Sequence, residues 1–519
     1  MLGSRTLLNT SKPSAYAALL CALLSGCAAG PDYQRPAAPT ASSYTVQQPS
    51  EQMGGQRLVE SLDIPYDWWT IFQSPQLNAL VERALKDNPG IEAAQAALRQ
   101  AQENVVAQRG FFFPTVSVNY SPSRNKVAGN MGGNSPGLQE NGDNIVSSPT
   151  APAYYNFHTA QLSIGYVPDV FGINRRLTES AVAQAEWQQM QLQAAQLTLV
   201  SNMVAAAIQE AALRAQIAAV ENVISINREN LEIVRQQLKL GFVSELDVAT
   251  QETQMAQSEQ VLPPLRKQLA QTRDLIRALA GNVPSENILE TFELADLRLP
   301  SDLPLTLPSR LVEQRPDVRA AEAQLHSASA QYGVAVANRM PQFMVTADVG
   351  GMASSPEWMF RSGGTFFNLT GNISQIIFDG GTLRARSRAA EQALIQAGAI
   401  YRSTVIAALQ NVADTLHAIR ADAEAFTAAD AAAQASLTAL KLTRKQFQLG
   451  YASYQDLLAA QQNFQLAGIS LAQAQGARLA DTAALYQALG GGWWNREGKT
   501  AAEDQSGATQ IAASGAQPQ

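Results

Sequence analysis

Hydrophobic residues recur along most of this chain with the spacing of long helices. Apolar side chains at steps of three and four, such as Val200, Val204 and Ile208, mark one face of a helix. This pattern predicts helices over about 174–240 and again over about 382–449. A helix of about 67 residues is about 100 Å long at 1.5 Å per residue. Each is expected to turn at a glycine and to return as an antiparallel partner.

Four shorter segments alternate apolar and polar residues, which is the pattern of strands. We predict strands at 113–122, 159–168, 342–350 and 367–378. About ten residues with one apolar and one polar side is typical of membrane strands that have a polar lumen. A pair of soluble hairpins with one wet face would give the same alternation, so that alternative stays open.

The chain also contains an internal repeat. Each half has two prolines 25 residues apart, Pro89 and Pro114 in the first and Pro316 and Pro341 in the second. Each half then has two glycines 40 residues apart, Gly241 and Gly281 in the first and Gly450 and Gly490 in the second. The motifs predict a duplicated unit in which a helix, two strands and a long helical hairpin follow in order.

These patterns divide the chain into six segments. They are a signal peptide (1–26), an N-terminal linker (27–65), a first repeat (66–281), a connector (282–308), a second repeat (309–490) and a C-terminal tail (491–519). Pro263 and Pro264 fall within the first return helix and are expected to kink it.

The predicted fold class is mainly α with a membrane β part. Four strands cannot close a barrel, because even small membrane barrels use about eight. An open edge in lipid leaves backbone groups unpaired at several kcal/mol each. Three chains would supply twelve strands for one barrel, and their long helices would close a helical barrel beneath it. The strand count therefore predicts that several copies of the chain share one barrel, and three copies would give twelve strands.

The N-terminus has the layout of a bacterial export signal. Arg5 and Lys12 precede an apolar run from Ala15 to Leu24, which is too short to span a membrane. The following Leu24-Ser25-Gly26-Cys27 resembles a lipobox, which implies a diacylglyceryl group and an N-acyl group on Cys27. An ordinary signal peptide that ends in cysteine is the alternative. By the same resemblance, a neutral residue after the cysteine, here Ala28, implies the outer membrane of a Gram-negative bacterium.

Composition removes several other classes. The chain has 37 Lys and Arg against 44 Asp and Glu, a formal charge of -7, which argues against a nucleic-acid partner. Both cysteines lie within the first 27 residues, and the three histidines are predicted at a loop edge (His158) and in helices (His326 and His417). Without a cluster of bases, nucleophiles or ligands, we expect no enzyme, no metal and no cofactor apart from the lipid.

An ordered series of motifs resembles the TolC-type outer-membrane efflux family, and within it the lipoproteins of the NodT kind. The motifs are Gly30-Pro31-Asp32-Tyr33, Trp68-Trp69, Asn88-Pro89, Arg315-Pro316-Asp317-Val318 and Phe378-Asp379-Gly380-Gly381. The resemblance implies a homotrimeric channel that docks to a periplasmic adaptor protein and an inner-membrane transporter, which we expect to be proton-driven. It would be a passive exit duct for small molecules. Gly380-Gly381 is expected to join a strand to a helix, because the Lys and Ser/Thr of a phosphate loop are missing.

Two other functions remain open. One is the exit channel of a type I protein-secretion system, and the other is a non-conducting coiled-coil lipoprotein that acts as a spacer. A spacer has no need of four alternating strands.

The resemblance also assigns roles to the two helical turns. The adaptor-docking turns would be Gly241, Phe242, Val243 and Ser244, and Gly450, Tyr451, Ala452 and Ser453. Asp247 and Asp456 would form an acidic ring at the channel tip, unless each merely caps the returning helix. Ala452 and Ala459 stand where a basic and an acidic residue occur in one family pattern, so Phe447 and Tyr454 are expected to pack at the aperture instead.

Overall fold

The computed structural model describes residues 29–41, 43–45, 52–127, 153–287 and 289–496. Within these ranges the helices are α1 (Pro75–Asp87), α2 (Pro89–Gly110), α3 (Ile173–Lys239), α4 (Glu245–Leu279), α5 (Pro308–Gln314), α6 (Pro316–Ala337), α7 (Thr382–Gln448) and α8 (Tyr454–Ala488). The strands are β1 (Gln52–Met53), β2 (Gln56–Glu60), β3 (Thr115–Val127), β4 (Ala153–Tyr166), β5 (Asp302–Leu305), β6 (Gln342–Ala353) and β7 (Thr365–Ser374).

The helix lengths repeat exactly between the two halves. Each half has helices of 22, 67 and 35 residues in that order, with two strands between the first and the second. The predicted duplication, and the predicted mainly helical fold with a strand pair in each half, are therefore confirmed.

The chain divides into two compact units. One comprises Met1–Gln34, Gln100–Ala185 and Ala323–Gly398, and its described part contains β3, β4, β6 and β7. The other comprises Arg35–Arg99, Glu186–Glu322 and Ala399–Gln519, and its described part contains most of the long helices and a sheet of β1, β2 and β5.

The sheet of β1, β2 and β5 is a feature that the sequence did not predict. β2 lies in the predicted linker 27–65 and pairs in parallel with β5 in the predicted connector 282–308. These strands have five and four residues, and β5 contains Pro304. Such short strands show no readable alternation, and an internal proline argues against a strand.

The helical unit has a dense aromatic and aliphatic core. Trp68, Phe72, Leu77 and Leu80 are at most 1% exposed, and the ring of Trp68 stacks on Tyr486 at 5.6 Å. Burying each such side chain contributes about 1.5–3 kcal/mol to folding. The Trp68-Trp69 motif therefore has a packing role.

The predicted apolar stripe of α3 is buried, as expected for a helix within a bundle. Val200, Val204 and Ile208 are all at most 4% exposed. Among the described residues, α3 is the one helix whose length and composition would suit a membrane span, but 61% of its most apolar window is buried in the protein. Packing between helices therefore accounts for its hydrophobicity. The neighbouring α4 is assigned as one helix through Pro263 and Pro264.

The strand bounds differ from those predicted at several ends. β3 continues to Val127 and β4 begins as early as Ala153. Both are longer than predicted because their backbone pairing extends beyond the segment in which apolar and polar residues alternate. β7 ends at Ser374, whereas 367–378 was predicted, because the apolar residues that follow have no paired strand. His158 lies within β4 and not at a loop edge.

Candidate conduit wall and helical tips

The four-stranded sheet has apolar side chains on one face and polar side chains on the other. Its strands are antiparallel in the order β3-β4-β6-β7. One row of partners across the sheet is Val118, Leu162, Val349 and Phe367, and the adjacent row is Ser117, Ser163, Asp348 and Asn368. Since neighbouring residues in a strand point to opposite faces, the four predicted alternations share one apolar face and one polar face.

The apolar face is exposed in the single chain. Val118 is 78% exposed, Phe367 85% and Leu369 72%. On the polar face the Gln161 amide Nε2 donates to Ser163 Oγ at 2.9 Å and to Asp348 Oδ1 at 3.4 Å. An apolar surface of this extent is costly in water and favourable in lipid. The sheet therefore has the surface chemistry of a wall between lipid and water.

The edges of this sheet are open. β3 and β7 are its outer strands, and in the described part of the chain each pairs with one neighbour only. The free N–H and C=O groups along both edges would have to be paired by another chain if the sheet lies in lipid.

At the strand-to-helix joint after β7, Asp379 binds the start of α7. Its carboxylate accepts hydrogen bonds from the backbone N–H groups of Gly381 at 2.8 Å and Leu383 at 2.7 Å. Gly380 and Gly381 both have positive φ, 67° and 88°, which an L side chain rarely adopts. The two glycines form the expected joint.

The helical turn after α3 and the one after α7 have the same backbone geometry. Gly241 and Gly450 have φ of 77° and 80°. The N–H of Phe242 donates to the carbonyl of Gln237, and that of Tyr451 to the carbonyl of Gln446, both at 2.9 Å. This is the Schellman arrangement that ends helices at a glycine. The two predicted docking turns therefore have equivalent backbone conformations.

Each turn is followed by a capping box that uses the predicted acidic residue. Asp247 Oδ2 accepts from the Ser244 N–H at 2.8 Å, and the Asp247 N–H donates to Ser244 Oγ at 3.4 Å. Asp456 makes the same pair of bonds with Ser453, at 2.9 and 3.2 Å. Hydrogen bonds from the serine side chain and backbone lower the pKa of both aspartates.

The capping role weighed in the sequence analysis is thus present at both turns. A ring of these carboxylates would need further copies of the chain, and it stays a prediction.

Phe447 and Tyr454 lie beside each other within the chain, and their packing at an aperture stays a prediction. Their ring centroids are 6.0 Å apart. Phe447 packs on a buried cluster that includes Leu440 and Leu457. Burial raises the pKa of the Tyr454 hydroxyl, and the nearby Asp247 raises it further. The two rings therefore flank the second helical turn.

Three exposed leucines beside the predicted docking residues Phe242 and Tyr451 were not predicted from the sequence. Leu240, Leu246 and Leu449 are 61–75% exposed, and Phe242 and Tyr451 are 77% and 83% exposed. Large apolar residues immediately beside a turn glycine are the signal that could have revealed them, since such turns are normally polar.

The N-terminal segment is fixed to the sheet-containing unit. The Ala29 N–H donates to the carbonyl of Phe171 at 3.0 Å, beside the start of α3. Arg176 pairs with Asp32 at 2.7 Å, and Tyr33 stacks on His326 at 4.2 Å. The predicted lipidation site, Cys27, lies outside the described residues.

No group of three or more His, Cys, Asp and Glu side chains is placed to hold a metal ion in the part of the chain that the structure describes.

The comparisons with known proteins agree on one family. Residues 80–282 and 307–491 match the model of a family described as outer membrane efflux protein. The chain is 28% identical over 430 residues to the pyoverdine export outer membrane protein OpmQ of Pseudomonas putida, covering 82% of this chain and 88% of OpmQ. It is 27% identical over 484 residues to the toluene efflux pump outer membrane protein TtgC of Pseudomonas putida, covering 92% and 95%.

The structure of the outer-membrane channel OprN superposes with a TM-score of 0.79 at 27% identity, covering 90% of this chain and 100% of OprN.

Proposed function

Because the chain belongs to the outer membrane efflux protein family, we propose that it forms, as a homotrimer, the passive exit duct of a tripartite pump. As an outer-membrane efflux channel it acts where no ATP is available, so the driving force has to come from an inner-membrane transporter. The substrates proposed are small molecules. The names of OpmQ and TtgC, which refer to pyoverdine and toluene, support this class.

The observation that carries the proposal is the sheet with one apolar face, one polar face and two open edges. In a trimer, β7 of one chain would pair with β3 of the next. β3 and β7 run in opposite directions, so that contact would be antiparallel like the other three. Twelve strands would then close with every edge group paired and the polar faces directed inward.

The spacer alternative explains none of these features. A non-conducting lipoprotein would not require Ser117, Ser163, Asp348 and Asn368 in one polar row on a sheet with an apolar reverse side. A type I secretion channel would share the sheet, and the relatives named above favour small molecules over a protein.

We propose the two turns as the adaptor-docking surface. Phe242 and Tyr451 are exposed side chains on hydrogen-bonded Schellman turns, and exposed apolar groups of this kind are typical of contact sites. The two turns in each chain are alike in backbone but differ in side chain, so a trimer would offer two classes of docking site.

The lipid anchor on Cys27 fits this arrangement. Ala29, two residues after Cys27, is hydrogen-bonded to Phe171 close to the strand-to-helix joint between β4 and α3. Two residues span at most about 7 Å. The described chain thus begins close to the level at which the strands would leave the membrane, where a lipid anchor is useful.

Engineered disulfides test the shared barrel. The mature chain is expected to contain no cysteine besides the acylated Cys27, so new pairs are unambiguous. We expect Ser117→Cys combined in turn with Asn368→Cys, Thr370→Cys or Asn372→Cys to give a covalent trimer upon oxidation in at least one register. The pair Ser163→Cys with Asp348→Cys lies on neighbouring strands of one chain and should leave the chain monomeric on a denaturing gel. Monomers from every edge pair would overturn the trimer.

A deletion strain tests the duct. Loss of the gene should sensitise the host to small toxic compounds only when the partner pump is present, and re-expression should restore resistance. Unchanged sensitivity across a broad panel, with loss of a secreted protein instead, would favour the secretion channel.

A further inference from the structure

All four junctions between strand and helix lie at the same end of the four-stranded sheet, where each strand meets a helix. The partners Thr115 with Gly165, Tyr166 with Val345, and Gln342 with Ser374 fix this arrangement. Exposed apolar residues lie beside these strand ends at all four junctions, with Val167 at the junction after β4. We call a set of five at the other three junctions the apolar collar. The collar consists of Phe111, Phe113, Met340, Ile377 and Phe378. Ile377 and Phe378 are each 90% exposed.

A set of arginines lies on the helical side of the same three junctions, and we call it the arginine belt. It consists of Arg109, Arg339, Arg384, Arg386 and Arg388. All five are exposed, and among the described residues none has a carboxylate within 4 Å. The whole chain carries a formal charge of -7, so this local accumulation of positive charge is not a consequence of composition.

The fourth junction, between β4 and α3, gives an internal comparison. Its arginines are paired within the chain, Arg175 with Asp169 at 3.5 Å and Arg176 with Glu179 at 2.8 Å. Arg176 also pairs with Asp32, which lies on the N-terminal segment. At this junction the protein supplies the anions itself. At the other three it leaves guanidinium groups available for anions from outside.

The order of surfaces across this boundary matches a membrane leaflet. Moving from strand to helix, an apolar surface is followed by a band of cations, as acyl chains are followed by phosphates. Guanidinium groups bind phosphate oxygens in bidentate geometry. Basic residues beside a membrane surface attract anionic lipids.

We propose that the arginine belt binds the phosphodiester headgroups of anionic phospholipids in the leaflet that meets the strand-to-helix boundary, with the apolar collar in the acyl region. This inference rests on the membrane placement of the strands in the proposed function. The lipid contact would fix the depth of the sheet in the membrane.

Lipid retention tests the belt. The full-length protein is reconstituted in vesicles of phosphatidylcholine and phosphatidylglycerol in equal amounts, extracted gently, and its retained lipids are counted by native mass spectrometry. The wild type should be enriched in phosphatidylglycerol. Arg109→Gln with Arg384→Gln and Arg388→Gln should lower this enrichment at least about fivefold.

A matched control removes the same charge elsewhere. Lys239 and Lys445 are exposed in the last turns of α3 and α7, and the exposed Lys441 lies one turn before Lys445, all near the helix ends away from the belt. Their triple change to Gln should leave the enrichment unaltered. An equal fall in both triple variants, or none in the belt variant, would overturn the proposal.

The salt dependence of the enrichment and the conductance of the belt variant separate lipid binding from channel function. Enrichment in the wild type should fall as salt rises, because ions screen surface charge, and a salt-independent enrichment would also overturn the belt. Conductance of the belt variant in phosphatidylcholine alone is expected to equal that of the wild type. If the belt fails while conductance persists, the proposed duct is unaffected.

Discussion

Ser163 and Asp348 lie directly opposite each other on β4 and β6, on the polar face of the sheet, while the next residue pair, Ile164 and Ala347, lies on the apolar face. This alternation across neighbouring strands from different halves of the chain joins the two repeats into one wall. A slip of one residue in register would move every polar side chain to the apolar side. The pairing of the two halves is therefore as important to the conduit as the composition of each strand.

The acidic tip can be tested without breaking its caps. Asp247→Asn with Asp456→Asn removes the charge but keeps a side-chain oxygen at the third helical position that can accept from the backbone N–H of Ser244 or Ser453. We expect weaker block by multivalent cations in single-channel recordings. Ser244→Ala with Ser453→Ala keeps both carboxylates and should retain the block. Undiminished block in the asparagine variant, correctly assembled, would show that the aspartates act only as caps.

The aromatic core of the helical unit should dominate stability. Trp68→Ala removes a side chain that is 1% exposed and stacked on Tyr486, and the expected cost is about 3–5 kcal/mol. Trp358 is 49% exposed and contacts the Arg361 guanidinium at 4.6 Å, so Trp358→Ala should cost clearly less, on the order of 1 kcal/mol. Denaturant titration of the detergent-solubilised protein measures both. Similar losses for the two variants would contradict the assigned core.

A carboxyl pair between α7 and α8 should make stability depend on pH. Burial, with a hydrogen bond and like-charge repulsion from Asp422, raises the pKa of Asp481 from 3.8 to about 6. The folded pKa lies above the unfolded one, so this stabilisation is present below about pH 4 and is lost as pH rises through about 6.

Asp481→Asn should therefore stabilise the protein at pH 7 by on the order of 1 kcal/mol, a value reduced for partial solvent screening. Melting midpoints of both proteins between pH 4 and pH 7 check this. A wild-type curve as flat as that of the variant would contradict it.

The elements that the sequence revealed are those in which one local pattern persists over many residues. Val200, Val204 and Ile208 repeat over enough turns to specify a helix face, and Ser244 with Asp247 shows the spacing of a capping box. The strand bounds were less accurate. Ile377 and Phe378 look like strand residues, but β7 ends before them because pairing depends on a distant strand.

The three-stranded sheet illustrates what local patterns cannot specify. Leu58 and Leu303 are paired across it although they are far apart in sequence. The strands are too short for alternation, and their stability comes from tertiary contacts. The arginine belt could not be predicted from the sequence either, because its members come together only through the pairing of distant strands.

The proposed lipid anchor on Cys27 has a direct test with an internal control. Cys27→Ser should abolish incorporation of labelled palmitate into the protein. Cys21→Ser changes the other cysteine, which lies in the predicted signal peptide, and should leave labelling intact. Labelled Cys27→Ser protein would show that another residue is acylated or that the lipobox assignment is wrong.

The most direct test of the conduit is thiol labelling along β4 during single-channel recording. Cysteine is placed in turn at Gln161, Leu162, Ser163 and Ile164, and a charged, membrane-impermeant thiol reagent is added. If the polar face lines the pore, conductance should change at Gln161→Cys and Ser163→Cys and stay constant at Leu162→Cys and Ile164→Cys. Equal reaction at all four positions, or reaction at the two apolar ones alone, would contradict the account.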